Sequence, residues 1–358
     1  MRKWLALLLG VQIVAVKLLG IFPEFVEKWY SHGLYPAWSE FERTVLGWLP
    51  FSFGDVVYMI AIIWLLSRLW KTRRHFFKQW KNHLLTGLAV LSIVYFMFHF
   101  SWGMNYYRVK LADRLGLQVN EPEHDSASTY TNAQLYRLTE FLIAKTDSLQ
   151  EAITGNQDQP VAPPYSHEEI FGGNIDGYQT LSKTYPFLEY RQPSVKNSLF
   201  SLPLTYMGFA GYLNPFTGEA QVNDMIPMYN YPTVAAHEMA HQMGYASESE
   251  ANFIGYLATI RNPNRYFRYS GYVTALRYCL GNWEVRDEHR LKEFLAAINP
   301  GVRANFRQSE AFWDSHETFI ETGFKIFYDN FLKMNKQEGL ESYNRFVDLM
   351  IAYYANGF

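Results

Sequence analysis

Thr233-Val-Ala-Ala-His237-Glu238-Met-Ala-His241-Gln-Met-Gly244, continued by Tyr-Ala-Ser247-Glu248-Ser-Glu250-Ala-Asn252, carries the pattern HExxH. Residues four apart on a helix lie one turn apart on one face, so His237 and His241 can offer both imidazoles to one metal ion. Glu238 sits on the adjoining face, where a carboxylate can take a proton from water activated by zinc. Pro232 favours a helix start just before the motif, and Ala235, Ala236 and Ala240 permit close packing behind the ligand face.

Two histidines do not complete a catalytic zinc site, which takes three protein ligands and leaves one position for water. The metzincin arrangement would need a ligand six residues after His241, where this chain has Ser247. The nearest carboxylates are Glu248 and Glu250. On one unbroken helix Glu248 would lie roughly 10 Å further along the axis than His241, too far to share a metal. The helix must therefore stop, and Gly244 is placed to end it in a left-handed conformation. Ser247-Glu-Ser-Glu250 then reads as a capping box that opens a second helix, with Glu250 closing back on the Ser247 amide. That leaves Glu248 free for the metal, with Glu250 as the alternative ligand. Asn252, one turn on, shares the face of Glu248 and could orient a ligand from behind. In the plainer reading, both glutamates only favour a helix N-terminus by their charge. Tyr272 and His316 are candidate donors to the oxyanion of a tetrahedral intermediate.

The chain has 358 residues, 49% hydrophobic and 18% aromatic, yet its mean hydropathy is −0.18. Apolar residues must therefore be concentrated in segments. A net charge of −2 gives no reason to expect nucleic acid as a partner. The single cysteine, Cys279, excludes an intrachain disulfide and a cysteine-cluster metal site.

The concentration lies at the start. Trp4–Phe22, Val56–Trp70 (beginning near Phe51) and Leu84–Trp102 are apolar runs, predicting transmembrane helices over about 4–22, 52–70 and 84–102. Pro23-Glu24-Phe25 offers no small-residue cleavage site after the first run, which reads as an anchor rather than a signal peptide. Between the second and third runs stand Arg68, Lys71, Arg73, Arg74, Lys78 and Lys81 with no acidic residue, whereas Pro23–Pro50 holds Glu24, Glu27, Glu40 and Glu42 against Lys28 and Arg43. The positive-inside rule then puts the N-terminus and residues 68–82 in the cytoplasm and everything after Trp102 outside. Three buried helices of a soluble core would not account for that asymmetry. Trp102, Tyr106 and Tyr107 fit an aromatic belt at the membrane exit.

Residues 120–128 are polar and read as a linker, and Thr131 as the N-cap of a helix with Leu135, Leu138, Phe141 and Leu142 on one side. A loop is predicted over 155–164 and a helix over 175–185. Residues 206–213 and 219–223 read as short strands around the turn Asn214-Pro-Phe-Thr-Gly218. A strand just before HExxH is where an extended substrate could be laid out. Beyond residue 258 the pattern is helical, through Phe312, Phe319, Phe324, Phe327 and Phe331, with a last helix near 342–354.

Three stretches together resemble a known bacterial family: Trp102-Gly-Met-Asn-Tyr-Tyr-Arg108; Pro215-Phe-Thr-Gly-Glu219 with Val222-Asn223; and Ala236-His-Glu-Met-Ala-His-Gln-Met-Gly-Tyr245 with Glu248-Ser-Glu-Ala-Asn-Phe253. It is the domain-of-unknown-function family numbered 3810, and the likeness runs from the first apolar run to Asp329 and Ser342-Tyr343. The resemblance implies a membrane-anchored zinc metallopeptidase. The segment Glu248-Ser-Glu-Ala-Asn252 is also similar to the Glu-x-x-Ala-Asp element of gluzincins, such as peptidases related to the CAAX prenyl protease. That similarity implies Glu248 as ligand and Asn252 in place of the supporting aspartate.

The expected protein is therefore mainly α with a small β element, in two parts. Residues 1–102 form a membrane domain with three transmembrane helices, and 103–358 an extracytoplasmic zincin-like α+β domain on the outer face of a bacterial inner membrane. One Zn2+ held by His237, His241 and Glu248, with Glu238 as general base, would hydrolyse a peptide or protein substrate. The alternative is a non-catalytic, membrane-anchored sensor or assembly protein with a structural or vestigial metal site. The lipid bilayer is a partner on either reading.

Overall fold

The apolar runs fold into long helices whose outer surfaces have no protein against them. In the computed structural model, which describes residues 1–74, 77–119, 129–335 and 342–355, the first is α1 (Arg2–Leu19). After it come α2 (Pro23–Val26), a π-helical stretch (Glu27–Leu34) and α3 (Tyr35–Leu46), and then α4 (Phe53–Thr72) and α5 (Trp80–Ser101). Two helical segments, Phe53–Thr72 and Phe77–Ser101, are long and apolar enough to cross a membrane, with 11% and 22% of their apolar windows buried. Such exposure suits lipid rather than a soluble core. α1 qualifies only together with Pro23–Leu46, from which it is bent by 102°. The first run is thus shorter than predicted, and residues 23–46 are helical where a loop was expected. Pro23 has no N–H to continue α1 but suits the first position of a new helix.

These helices share a direction. The end of α1, the start of α4 and the end of α5 meet the rest of the chain, while Arg2 Nη1 donates to Thr86 Oγ1 at the other end, 3.1 Å away. The basic turn between α4 and α5 lies at that far end, about 30 Å off by helix length.

The remainder is built around a buried helix. α6 (Leu111–Leu115) leads to α7 (Asn132–Thr154), which opens with the capping box Thr131/Gln134 and buries Leu135, Leu138 and Leu142 as expected. The anticipated linker at 120–128 lies outside the described residues. α8 (His167–Thr184) starts eight residues earlier than the predicted helix, because the capping box Ser166/Glu169 outweighs the Gly172-Gly173 pair. β1 (Val195–Asn197), α9 (Ser201–Tyr206), β2 (Gly211–Leu213) and β3 (Ala220–Val222) follow. The sheet has the order β1-β3-β2, β1 parallel and β2 antiparallel to β3, with Val195 opposite Ala220 and Gly211 opposite Val222. The strand expected over 206–213 is therefore only its last three residues, since α9 and a turn at Gly208 take the rest. β1, three residues long, has too short an alternation to be legible.

α10 (Tyr231–Gln242) carries HExxH between this sheet and α8, with α11 (Glu248–Ile260) crossing it. α12 (Arg265–Arg286), α13 (Glu288–Ala297), α14 (Pro300–Asp314), α15 (Phe319–Met334) and α16 (Ser342–Tyr354) complete the chain. α7, α8, α10, α11, α12 and α16 enclose the main core, in which Ala236, Met239, Ala240, Phe253 and Leu276 have no exposure. A second core joins the two halves, with Val16, Val26, Tyr35 and Trp102 against Ala246 and Leu332.

Gly244 ends the motif helix as its position suggested, with φ of +84°. A Cβ there would also stand 2.8 Å from the Tyr35 ring. Gly244→Ala is expected to cost about 1–2 kcal/mol from the left-handed backbone alone, and more from that clash. Thermal unfolding of the full chain in detergent should show a lower midpoint; an unchanged one would refute the account of this turn.

Candidate metal centre

Two helices meeting at Gly244 bring three ligand-type side chains together. His237 Nε2 lies 3.1 Å from His241 Nε2, and Glu248 Oε2 lies 3.2 Å from the first and 3.7 Å from the second. These three residues form the one group of potential metal ligands among the described residues. Four donors around a tetrahedral zinc at bond lengths of about 2.0–2.1 Å stand about 3.3 Å apart. The observed separations bracket that value.

The protonation pattern points the same way. His241 Nδ1 lies 2.7 Å from the Tyr245 carbonyl, an acceptor, so Nδ1 keeps a proton and Nε2 is the nitrogen that could give one up to a metal. Burial lowers the His241 imidazole, but Glu248 outweighs it, with help from Glu238 and the Tyr245 carbonyl, and lifts the group to about 9. Burial raises the Glu248 carboxyl, yet His241 and His237 hold it well below the usual carboxylate range. Both shifts come from one pairing: the Glu248 carboxylate calls for positive charge on the imidazoles, and they hold it ionised. A dication among two imidazoles and a carboxylate would meet that demand, and the donor set suits zinc.

Glu238 is buried beside the cluster. Its Oε1 is so close to β2 that a Cβ on Gly211 would stand 2.7 Å from it, and its Oε2 has no hydrogen-bond partner among the described residues. Burial pushes its carboxyl up to about 7, against the lowering influence of His237 and His241.

The ligand helix is fixed on every side. The Tyr178 hydroxyl donates to the Ala236 carbonyl (2.6 Å) and Asn174 Nδ2 to the Pro232 carbonyl (3.0 Å). Its last carbonyls are met from the N-terminal segments. The Trp102 indole donates to His241 O (3.2 Å), the Tyr35 hydroxyl to Gln242 O (2.9 Å) and Arg108 Nη1 to Gly244 O (2.8 Å). Arg108 is itself gripped by both carboxylate oxygens of Glu27. Trp102 and Arg108 thus reach past the predicted membrane-exit role of this stretch and onto the motif helix.

Several expectations at the second helix change. Ser247 is the N-cap of α11, but its side chain makes no capping bond and its hydroxyl pairs with that of Ser249. The capping box is therefore absent. Glu250 is drawn away by an unanticipated partner: its Oε1 accepts the Leu111 N–H at 2.6 Å, the first amide of α6. Glu248, not Glu250, converges with the histidines. Asn252 makes no described hydrogen bond to a ligand. Tyr272 packs edge-on to Phe141 and Tyr256, and His316 lies against Tyr206 and Phe312; no described contact joins either to the cluster.

The missed residue is Tyr328 on α15, whose hydroxyl donates to Glu248 Oε1 at 2.5 Å, leaving Oε2 to face the imidazoles. Burial and the Glu248 charge hold its phenol well above the usual range, so it remains a donor. The available signal was a tyrosine, the polar exception in an otherwise phenylalanine-rich periodic stretch.

The family described as "Protein of unknown function (DUF3810)" matches residues 30–351. No curated protein and no solved structure matches the chain. The match includes the metal-ligand cluster, Glu238, Tyr328 and the residues that hold α10, and with nearly the whole chain covered the protein belongs to the DUF3810 family.

Proposed function

We propose that the chain is a membrane-anchored, zinc-dependent peptidase whose metal centre lies on the outer side of a bacterial inner membrane. The observation that carries this reading is the convergence of His237, His241 and Glu248 with a buried carboxylate, Glu238, at their side. Zinc held by those three residues would polarise the scissile carbonyl and let water lose a proton near neutral pH. Glu238 receives that proton on its unpartnered oxygen and passes it to the leaving amine. Tyr328 and the Tyr245 carbonyl hold Glu248 and His241 in their working orientations.

Substrate placement follows from the surroundings. β2 has a strand partner on one side only, so its outer edge can pair with an extended peptide beside Glu238. A cavity of about 830 Å³ is lined by Ala210, just before β2, and by Val234, Val273 and Trp313, with Arg277 contributing a positive charge. Val234 is one turn before Glu238 on α10. Such a cavity would take an apolar side chain of the substrate. The orientation rests on the positive-inside rule, since the basic turn between α4 and α5 is at the opposite end of the helices from the metal centre.

Full-length protein purified in detergent is expected to hold one zinc per chain by elemental analysis, and the His237→Ala, His241→Ala double variant none. Glu248→Ala should weaken zinc binding by more than the about 10–100-fold typical of losing a residue that only supports a ligand, whereas Glu250→Gln should leave it intact. Wild-type zinc affinity in Glu248→Ala would sink this ligand set. Glu238→Gln is expected to keep zinc while peptide-library cleavage falls about 10²–10⁴-fold. Undiminished turnover would remove Glu238 as general base. A cellular phenotype indifferent to the substitution would instead favour a sensor or assembly protein with a structural metal site.

A further inference from the structure

Among the described residues beyond 102, ten large apolar side chains are exposed, and six of them, Phe319, Ile320, Phe324, Ile326, Phe327 and Met334, belong to α15. They recur at three- and four-residue spacing and form one face. Glu321, Lys325, Asp329 and Lys333 follow each other at four-residue intervals on another face, where Lys325 pairs with Glu321 and Lys333 with Asp329. A helix on the surface of a soluble domain turns its apolar face inward. Here the inward contacts come from Leu332, 1% exposed, and Tyr328, while the apolar face looks out, with Phe319 87% and Phe327 65% exposed. A contiguous patch of this kind marks an interaction surface.

Its location selects the occupant. Met334 O accepts from Lys17 Nζ in the last turn of α1, and the Phe331 ring meets Phe98 near the end of α5 and Tyr106 just beyond it. The apolar face is thus continuous with the exposed ends of the candidate spans, including Leu18, Ile21, Phe22 and Phe25. Of the other four exposed residues, Leu199 lies at the start of α4, where its N–H donates to Asp55. We propose that α15 lies in the bilayer interface with Phe319, Phe324 and Phe327 seated among lipid acyl chains. Its other side carries Tyr328 onto Glu248, so the helix that touches lipid also holds a residue of the metal centre.

The test uses the buried Cys279 as a silent background. Phe324→Cys, Phe327→Cys and, at an exposed position of α12, Val285→Cys are labelled with a nitroxide in the whole chain, reconstituted in phosphatidylethanolamine/phosphatidylglycerol nanodiscs. The proposal expects the ratio of oxygen to nickel-chelate collisions to be several-fold higher at 324 and 327 than at 285. Chelate access at 324 and 327 equal to that at 285 would overturn it. Protection from both reagents would overturn it too, by showing a protein against this face. The readout depends on neither zinc nor hydrolysis, so its failure would leave the peptidase reading standing.

Discussion

The last turn of a helix leaves carbonyls without intrahelical donors, and how α10 meets this need determines much of the molecule. His241 O, Gln242 O and Gly244 O are answered by Trp102, Tyr35 and Arg108, all from segments attached to the apolar N-terminal helices. Leaving one such buried group unmet costs about 1–3 kcal/mol. α10 is therefore capped by segments that adjoin the candidate spans. Residues 103–358 on their own would lose two of these three donors, Trp102 and Tyr35, and the Glu27 that grips Arg108.

Gln242 extends the same logic to the sheet. Its amide donates to the Ser194 and Gly218 carbonyls, and its oxygen accepts from the Tyr190 hydroxyl. One residue after the second histidine, the chain is thus bonded to the strand connections on one side and to α3 on the other. A buried amide with every valence satisfied fixes a single arrangement more firmly than apolar contact, because any shift breaks several bonds together. The ligand geometry inherits that rigidity.

What the sequence revealed was local, and what it hid was long-range. HExxH, the N-cap at Thr131, the left-handed stop at Gly244 and the final helix from Ser342 are read from neighbours a few residues apart, and the fold has them all. Glu250 misled because its local pattern is that of a capping box, while its actual partner, Leu111, lies 139 residues away. Tyr328 is 80 residues from Glu248 and belongs to a helix whose pattern announces only amphipathicity. The charge asymmetry around the apolar runs was legible because it is compositional; the helical course of 23–46 was not, because its acidic residues resemble a loop until Glu27 is seen holding Arg108.

Asp55, in the first turn of α4, accepts from Ser198 just after β1 and from the Tyr212 hydroxyl of β2, while Glu219 beside β3 accepts the Phe53 and Gly54 amides and pairs with buried Lys196. All three strands are thereby bolted to the head of one candidate span. Were α4 to cross a bilayer, a tilt imposed by a thinner or thicker membrane would reach the strand that borders Glu238 through these bonds. The space beside Glu238 would then vary with bilayer thickness.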